Sequence, residues 1–82
     1  MITVKYRGNL PSYTQKDREE IQASCILDVL GFIKNAYGPE AYKEAKRMLI
    51  TVNNESILLH KGFKTSLKGG DVVSFFPISG GG

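Results

Sequence analysis

The sequence predicts an α+β fold, a mixed β-sheet covered by one layer of helix. Three observations lead there. Apolar residues alternate with period two near both ends of the chain, at 2–7 and 72–76. Between them the period lengthens: Ile26, Val29, Leu30 and Ile33 stand at i, i+3, i+4 and i+7, the stripe of an amphipathic helix. With 82 residues, 41% hydrophobic and 23% charged, the chain has the make-up of one ordered domain around one core.

In the first strand Ile2, Val4 and Tyr6 point one way and Thr3, Lys5 and Arg7 the other. Residues 8–12 read as a loop, and the polar run 13–17 carries no periodic signal. At 18–23, Ile21 and Ala23 alternate with Glu20 and Gln22, giving a second strand that pairs with the first as a hairpin. The main helix opens at Ser24 or Cys25 and carries Asp28 in its first turn, where negative charge suits the helix dipole. Gly31 weakens it by about 1 kcal/mol relative to alanine, and Gly38-Pro39 ends it.

A shorter second helix follows at 39–48, with Ala41, Tyr42, Ala45 and Met48 or Leu49 on one side. Lys43, Lys46 and Arg47 share this segment with Glu40 and Glu44, a solvated face laced with opposite charges. Residues 50–53 return to strand period and Asn53-Asn54-Glu55 forms a turn. Ile57, Leu58 and Leu59 are a brief apolar run, at a strand edge or in irregular chain. Residues 67–71 turn again, and Val72-Val73-Ser74-Phe75-Phe76 is the last strand, stopped by Pro77. Four or five strands around one main helix, with a shorter second helix, is the β-grasp arrangement. Residues 1–77 are expected as a single domain and 78–82 as a flexible C-terminal tail.

Several function classes are set aside. No run of about 18 apolar residues spans a membrane, and the N-terminus alternates like a strand rather than a signal peptide, so a cytoplasmic location is expected. A single cysteine, Cys25, permits no internal disulfide, and His60 has no second histidine to share a metal. Cys25 reads as a small apolar residue at a helix start, and His60 as a solvated loop residue. The net charge of +3 is dispersed, without the basic stripe that nucleic-acid binding requires. Lys61, Lys64 and Lys68 keep the loop before the last strand soluble.

The final residues carry the functional signal. Gly80, Gly81 and Gly82 alone read as a frayed end. A second reading rests on chemistry: a chain-terminal carboxylate becomes reactive once another enzyme adenylates it. To reach bound ATP the terminus must thread a narrow channel, where glycine has no Cβ to clash. Extended, Ser79 to Gly82 reach roughly 13–14 Å beyond the domain.

The stretch from Leu67 through Gly70-Asp71 and Phe75-Phe76-Pro77 to Gly81-Gly82 resembles the C-terminus of the molybdopterin synthase small subunit, the MoaD-like sulfur carriers. There a Leu-x-x-Gly-Asp turn leads into a strand ending Phe-Phe-Pro before a terminal Gly-Gly. Val52-Asn53-Asn54-Glu55 resembles the family's Val-Asn-Gly-Glu turn, with Asn54 in place of the glycine, and the helix opening at Cys25-Ile26 also fits. Cys25 stands where a Thr N-cap is usual, which leaves Ser24 to cap; Gly80 stands where a small non-glycine residue is common.

The resemblance implies a ubiquitin-like sulfur carrier, not catalytic alone. An adenylating enzyme of the ubiquitin-activating type (MoeB/ThiF-like) would use ATP to activate Gly82, while the chain itself binds no cofactor or metal. A sulfur donor such as a cysteine desulfurase or rhodanese would convert the acyl-adenylate to a thiocarboxylate. The molybdopterin synthase large subunit (MoaE-like) would receive that sulfur for a pterin precursor. Rival readings are a carrier for thiazole, cysteine or thiolated tRNA synthesis, a protein modifier joined to lysines, and an interaction module with a meaningless tail. Phe75 and Phe76 are consecutive on a strand and face opposite sides. Phe75 belongs to the core with Val73, while Phe76 and Val72 form a docking face beside Pro77 and Ile78, where the tail emerges.

Overall fold

The computed structural model describes residues 1–78; Ser79 and the expected tail glycines Gly80, Gly81 and Gly82 lie outside the described residues. Strands β1 (Ile2–Lys5), β2 (Arg18–Ile21), β3 (Leu49–Val52), β4 (Glu55–Ser56) and β5 (Val72–Phe76) form one mixed sheet in the order β2-β1-β5-β3-β4. The expected hairpin is present: β1 and β2 are antiparallel, with Ile2 opposite Ile21 and Val4 opposite Glu19. β5 then enters the middle of the sheet, parallel to β1 and antiparallel to β3. A parallel pair cannot be closed by a tight turn, so the intervening chain must cross over one face of the sheet.

The crossover supplies the core. Helix α2 (Ile26–Tyr37) lays its stripe of Ile26, Val29, Leu30 and Ile33, all buried, toward the inward residues of the sheet. Val4, Val73 and Phe75 are each 0% exposed at the centre. Fully burying a side chain of this size contributes about 1.5–3 kcal/mol, so this stripe outweighs the cost of Gly31. Helix α3 (Pro39–Lys46) is the predicted shorter helix and buries Ala41 and Ala45; Met48, just beyond it, is buried too. Leu49 belongs instead to β3, opposite Phe76.

Four local features depart from the sequence reading. A one-turn helix, α1 (Leu10–Thr14), occupies the segment read as loop. Leu10 and Thr14 are buried, the Thr14 hydroxyl donates to the Lys16 carbonyl at 2.8 Å, and Gln15 ends the turn at φ 64°. Five residues are too few to show a period, and tertiary packing of Leu10 stabilises the turn. The apolar run at 57–59 is a 3-10 turn that buries Ile57 and leaves Leu58 and Leu59 exposed; a second follows at Gly62–Lys64.

At the start of α2, Cys25 holds the N-cap position without a side-chain bond, and Ser24 does not replace it. The neighbouring loop satisfies the backbone: Ile26 N donates to the Thr65 carbonyl at 3.1 Å and Leu67 N to the Ser24 carbonyl at 2.8 Å. Asp28 Oδ2 accepts from Ser24 N at 2.9 Å. The expected lacing of α3 is also absent. Among the described residues the ion pairs are Lys16–Glu19 and His60–Glu55, and none joins Lys43, Lys46 or Arg47 to Glu40 or Glu44.

One polar group sits at the edge of the core. Glu19 occupies an inward position of β2, and its Oε2 accepts from the hydroxyls of Tyr6 and Tyr37, each at 2.6 Å. The two rings meet edge to face at 6.2 Å. Burial alone would raise the Glu19 carboxyl, but the Tyr37 and Tyr6 hydroxyls, with the Lys16 ammonium, hold it below the usual range. Burial and the Glu19 carboxylate push Tyr37 up to about 12 and Tyr6 higher still. A phenol with a raised folded pKa stabilises fully below its unfolded value near 10, and that contribution is lost as pH rises through about 12. Glu19→Gln is therefore expected to lower stability by about 2 kcal/mol in urea unfolding near neutral pH. Spectrophotometric titration of the variant should bring Tyr37 ionisation back toward about 10.

Candidate functional site

The candidate site is the end of β5 and the chain leaving it. Along β5, Val73 and Phe75 are buried inward, while Val72, Ser74 and Phe76 face the other side. Val72 and Phe76 are half-buried, Pro77 is exposed and Ile78 is 62% exposed. Leu49, 38% exposed, stands opposite Phe76, and Thr51 opposite Ser74. The Thr51 hydroxyl is buried with no hydrogen-bond partner, which marks the middle of this face as covered and its two ends as the open apolar parts.

Two residues from the loop after β1 brace the exit. The Arg7 guanidinium lies over the Phe76 ring, 5.5 Å from its centroid, an arrangement that orients the ring at the surface. Gly8 has φ +63°, and a Cβ there would sit 3.3 Å from both Met48 Cε and Pro77 Cβ. Glycine is thus required twice, for the left-handed backbone and for the close approach of Pro77. Beyond this contact the chain runs beside a shallow groove formed by Glu44, Arg47, Met48, Pro77 and Ile78.

The other end of β5 is locked by the two turn motifs together. Asn53 and Asn54 take φ 50° and 73°, the left-handed pair of a tight hairpin turn between β3 and β4. Asn53 Nδ2 donates to Asp71 Oδ1 at 3.0 Å, Val72 N donates to Asn53 Oδ1 at 2.9 Å, and Lys68 N donates to Asp71 Oδ2 at 2.9 Å. The Lys68 backbone bond chiefly, with Asn53 and the Lys68 charge, holds the buried Asp71 carboxyl below its ordinary range against desolvation. These bonds fix where β5 begins, and hence where it ends.

The remaining sequence candidates do not join this site. Cys25 is half-exposed, in a backbone bridge to Ser66, and His60 Nε2 lies 2.9 Å from Glu55 Oε1 at the surface. No group of three or more His, Cys, Asp or Glu among the described residues is placed to hold a metal ion. No described helix is long and apolar enough to cross a membrane. Sequence reasoning missed Arg7 and Gly8. A glycine directly after the alternating residues of β1 was the available signal, but its neighbour Pro77 lies far along the chain.

This geometry defines a small ubiquitin-like β-grasp domain whose chain leaves from the end of its central strand. The chain belongs to the ThiS family, whose model matches residues 4–82, and so has the fold of the small ubiquitin-like sulfur carriers. Among solved structures, it resembles the Amycolatopsis orientalis BexX/CysO complex at 20% identity and TM-score 0.85, covering 100% of both chains. Small archaeal modifier protein 1 from Methanosarcina acetivorans matches at 21% identity and TM-score 0.85, covering 99% of this chain and 95% of that one. In the complex of subunits 1 and 2 of the Helicobacter pylori molybdopterin-converting factor, the match is 24% identical with TM-score 0.68, covering 99% and 97%. No curated protein matches by sequence.

Gly8→Val should destabilise the domain by about 1–2 kcal/mol from backbone strain alone. It should also shift the side-chain NMR signals of Met48 and Pro77, whereas a valine in an open loop would leave them in place. For Asp71, a depressed folded pKa means that its stabilisation is present above about pH 4 and is lost as pH falls through the folded value. Asp71→Asn is expected to cost about 1 kcal/mol near neutral pH, with the difference from the parent chain vanishing in acid unfolding curves.

Proposed function

We propose that this chain carries sulfur on the carboxylate of Gly82, and that other proteins supply the catalysis. The supporting observation is the brace at the exit of β5. Arg7, Gly8 and Met48 hold Phe76 and Pro77 against the domain, so the chain departs from a fixed point beside the half-exposed Phe76 and Leu49, with Val72 at the opposite end of β5. A partner that grips Gly80, Gly81 and Gly82 must rest on that face, with Pro77 and Ile78 at its margin.

The chemistry follows from the carboxylate. A carboxylate oxygen of Gly82 attacks the α-phosphorus of ATP held by an adenylating enzyme of the MoeB/ThiF type, and pyrophosphate leaves. The terminal sulfur of a persulfide on a cysteine desulfurase or rhodanese then attacks the acyl carbon and expels AMP. A partner thiol cleaves the resulting acyl disulfide, ending in a disulfide with the donor cysteine and releasing the sulfur on Gly82 at the oxidation level of sulfide. The resulting thiocarboxylate is nucleophilic at sulfur and can transfer it. This chain contributes the acyl group and its presentation, and the partners hold the ATP and move the protons.

The acceptor we propose is a pterin precursor bound by a MoaE-like large subunit of molybdopterin synthase. The Phe75-Phe76-Pro77 ending, the Gly70-Asp71 turn and the likeness to the Helicobacter pylori subunit support this reading. A second reading, a carrier for another pathway or a modifier attached to lysines, draws on shape: the TM-score is 0.85 to the archaeal modifier against 0.68 to the molybdopterin-converting subunit.

ATP–pyrophosphate exchange by the organism's adenylating enzyme tests the proposal. Exchange should depend on the chain and disappear when Gly82 is deleted. Phe76→Asp should raise the KM for the chain about tenfold by burying a charge at the docking face, with kcat retained. Exchange that is indifferent to the chain would refute the proposal, and lysine-linked adducts in lysates would favour the modifier.

A further inference from the structure

A second surface lies beside the exit, between the C-terminal halves of α2 and α3. Lys34, Pro39, Tyr42, Lys43, Lys46 and Arg47 line an open cleft of about 420 Å³. The ammonium groups of Lys34 and Lys46 each stand 5.2 Å from the centroid of the same Tyr42 ring. Lys34 and Lys46 lie in the last turns of their helices, where the dipole favours a cation. That preference does not account for four cations in one cleft, which repel one another. None of the four forms an ion pair with a carboxylate among the described residues. The charges that the sequence offered as partners, Glu40 and Glu44, leave them free.

The cleft and the exit adjoin at Arg47. Arg47 lines both the cleft and the groove that holds Pro77 and Ile78. A protein that receives the tail would therefore meet the Arg47 side of the cleft.

We infer that this cleft docks an acidic segment of the protein that takes the tail. Carboxylates of glutamate or aspartate would neutralise Lys43, Lys46 and Arg47 while the Tyr42 ring packs against their aliphatic stems. A nucleic acid fits less well. Its strong binding comes from many phosphate contacts along a strand, whereas the cations here are confined to one cleft. The Tyr42 ring on which a base would stack already has two ammonium groups over it. The inference rests on the carrier reading only for which protein supplies the segment; the preference for carboxylates rests on the cleft itself.

The test titrates an octaglutamate peptide into the isotope-labelled full chain and follows backbone amides by NMR. Amides of Lys34, Tyr42, Lys43, Lys46 and Arg47 should shift at low salt and return when salt shortens the screening length several-fold. The shifts should be absent in Lys43→Glu/Lys46→Glu and weakened in Lys43→Gln/Lys46→Gln; all four changes fall on exposed positions that leave the core intact. Unmoved cleft amides would overturn the inference. So would inorganic phosphate or an oligothymidylate of equal length shifting them at lower concentration than the peptide. In the pyrophosphate-exchange assay the Glu double variant should raise the KM for the chain about tenfold with kcat unchanged, and an unchanged KM would detach the cleft from the receiving protein. Exchange that survives deletion of Gly82 would remove the carrier reading alone, because the peptide titration judges the cleft separately.

Discussion

The pairing of β5 with both β1 and β3 is the constraint on which the rest of this structure depends. It places the last strand in the middle of the sheet, with Val73 and Phe75 sealed against α2 and the opposite face turned outward. A central strand cannot slide without moving every inward residue to the other face. The register is pinned at its start by the Asn53–Asp71 bonds and at its end by Gly8 against Pro77. The chain therefore leaves the sheet at one fixed point, beside Phe76 and Pro77.

The stabilising devices divide accordingly. Apolar burial under α2 fixes the core, and the Glu19–Tyr6–Tyr37 cluster ties β2, the chain leaving β1 and the end of α2 together on the same face, at the β2 edge of the sheet. The opposite edge is more loosely covered, with Leu58 and Leu59 exposed in a 3-10 turn. The Tyr6 ring also reaches the end of β5, stacked on Phe75 at 6.5 Å. The residues that stabilise the domain and those that brace the end of β5 therefore adjoin one another at Tyr6 and Gly8.

Much of this was legible in the sequence because the underlying signals are periodic or chemically specific. The helical stripe from Ile26 to Ile33 and the alternation in β1 and β5 each repeat often enough to fix a face. The opposite placement of Phe75 and Phe76 followed from strand geometry alone. What escaped notice was short or non-local. Leu10–Thr14 forms a single turn held by packing, and the cap of α2 comes from the Thr65 and Leu67 backbone, which no side-chain preference announces. The two turn motifs were visible separately, but their mutual hydrogen bonds were not, because residues 53 and 71 meet only in the folded sheet. The lacing expected on α3 failed because i, i+3 and i, i+4 spacing permits ion pairs without requiring them, and exposed pairs contribute little.

In the proposed sulfur carrier the reacting atom belongs to this chain and the catalytic groups to its partners. Intact mass spectrometry of the chain after incubation with its adenylating enzyme, ATP and a sulfur donor tests that assignment most directly. Exchange of one carboxylate oxygen for sulfur should raise the mass by about 16 Da, confined to the peptide that contains Gly82. An unchanged mass, or a gain located on any other residue, would contradict it.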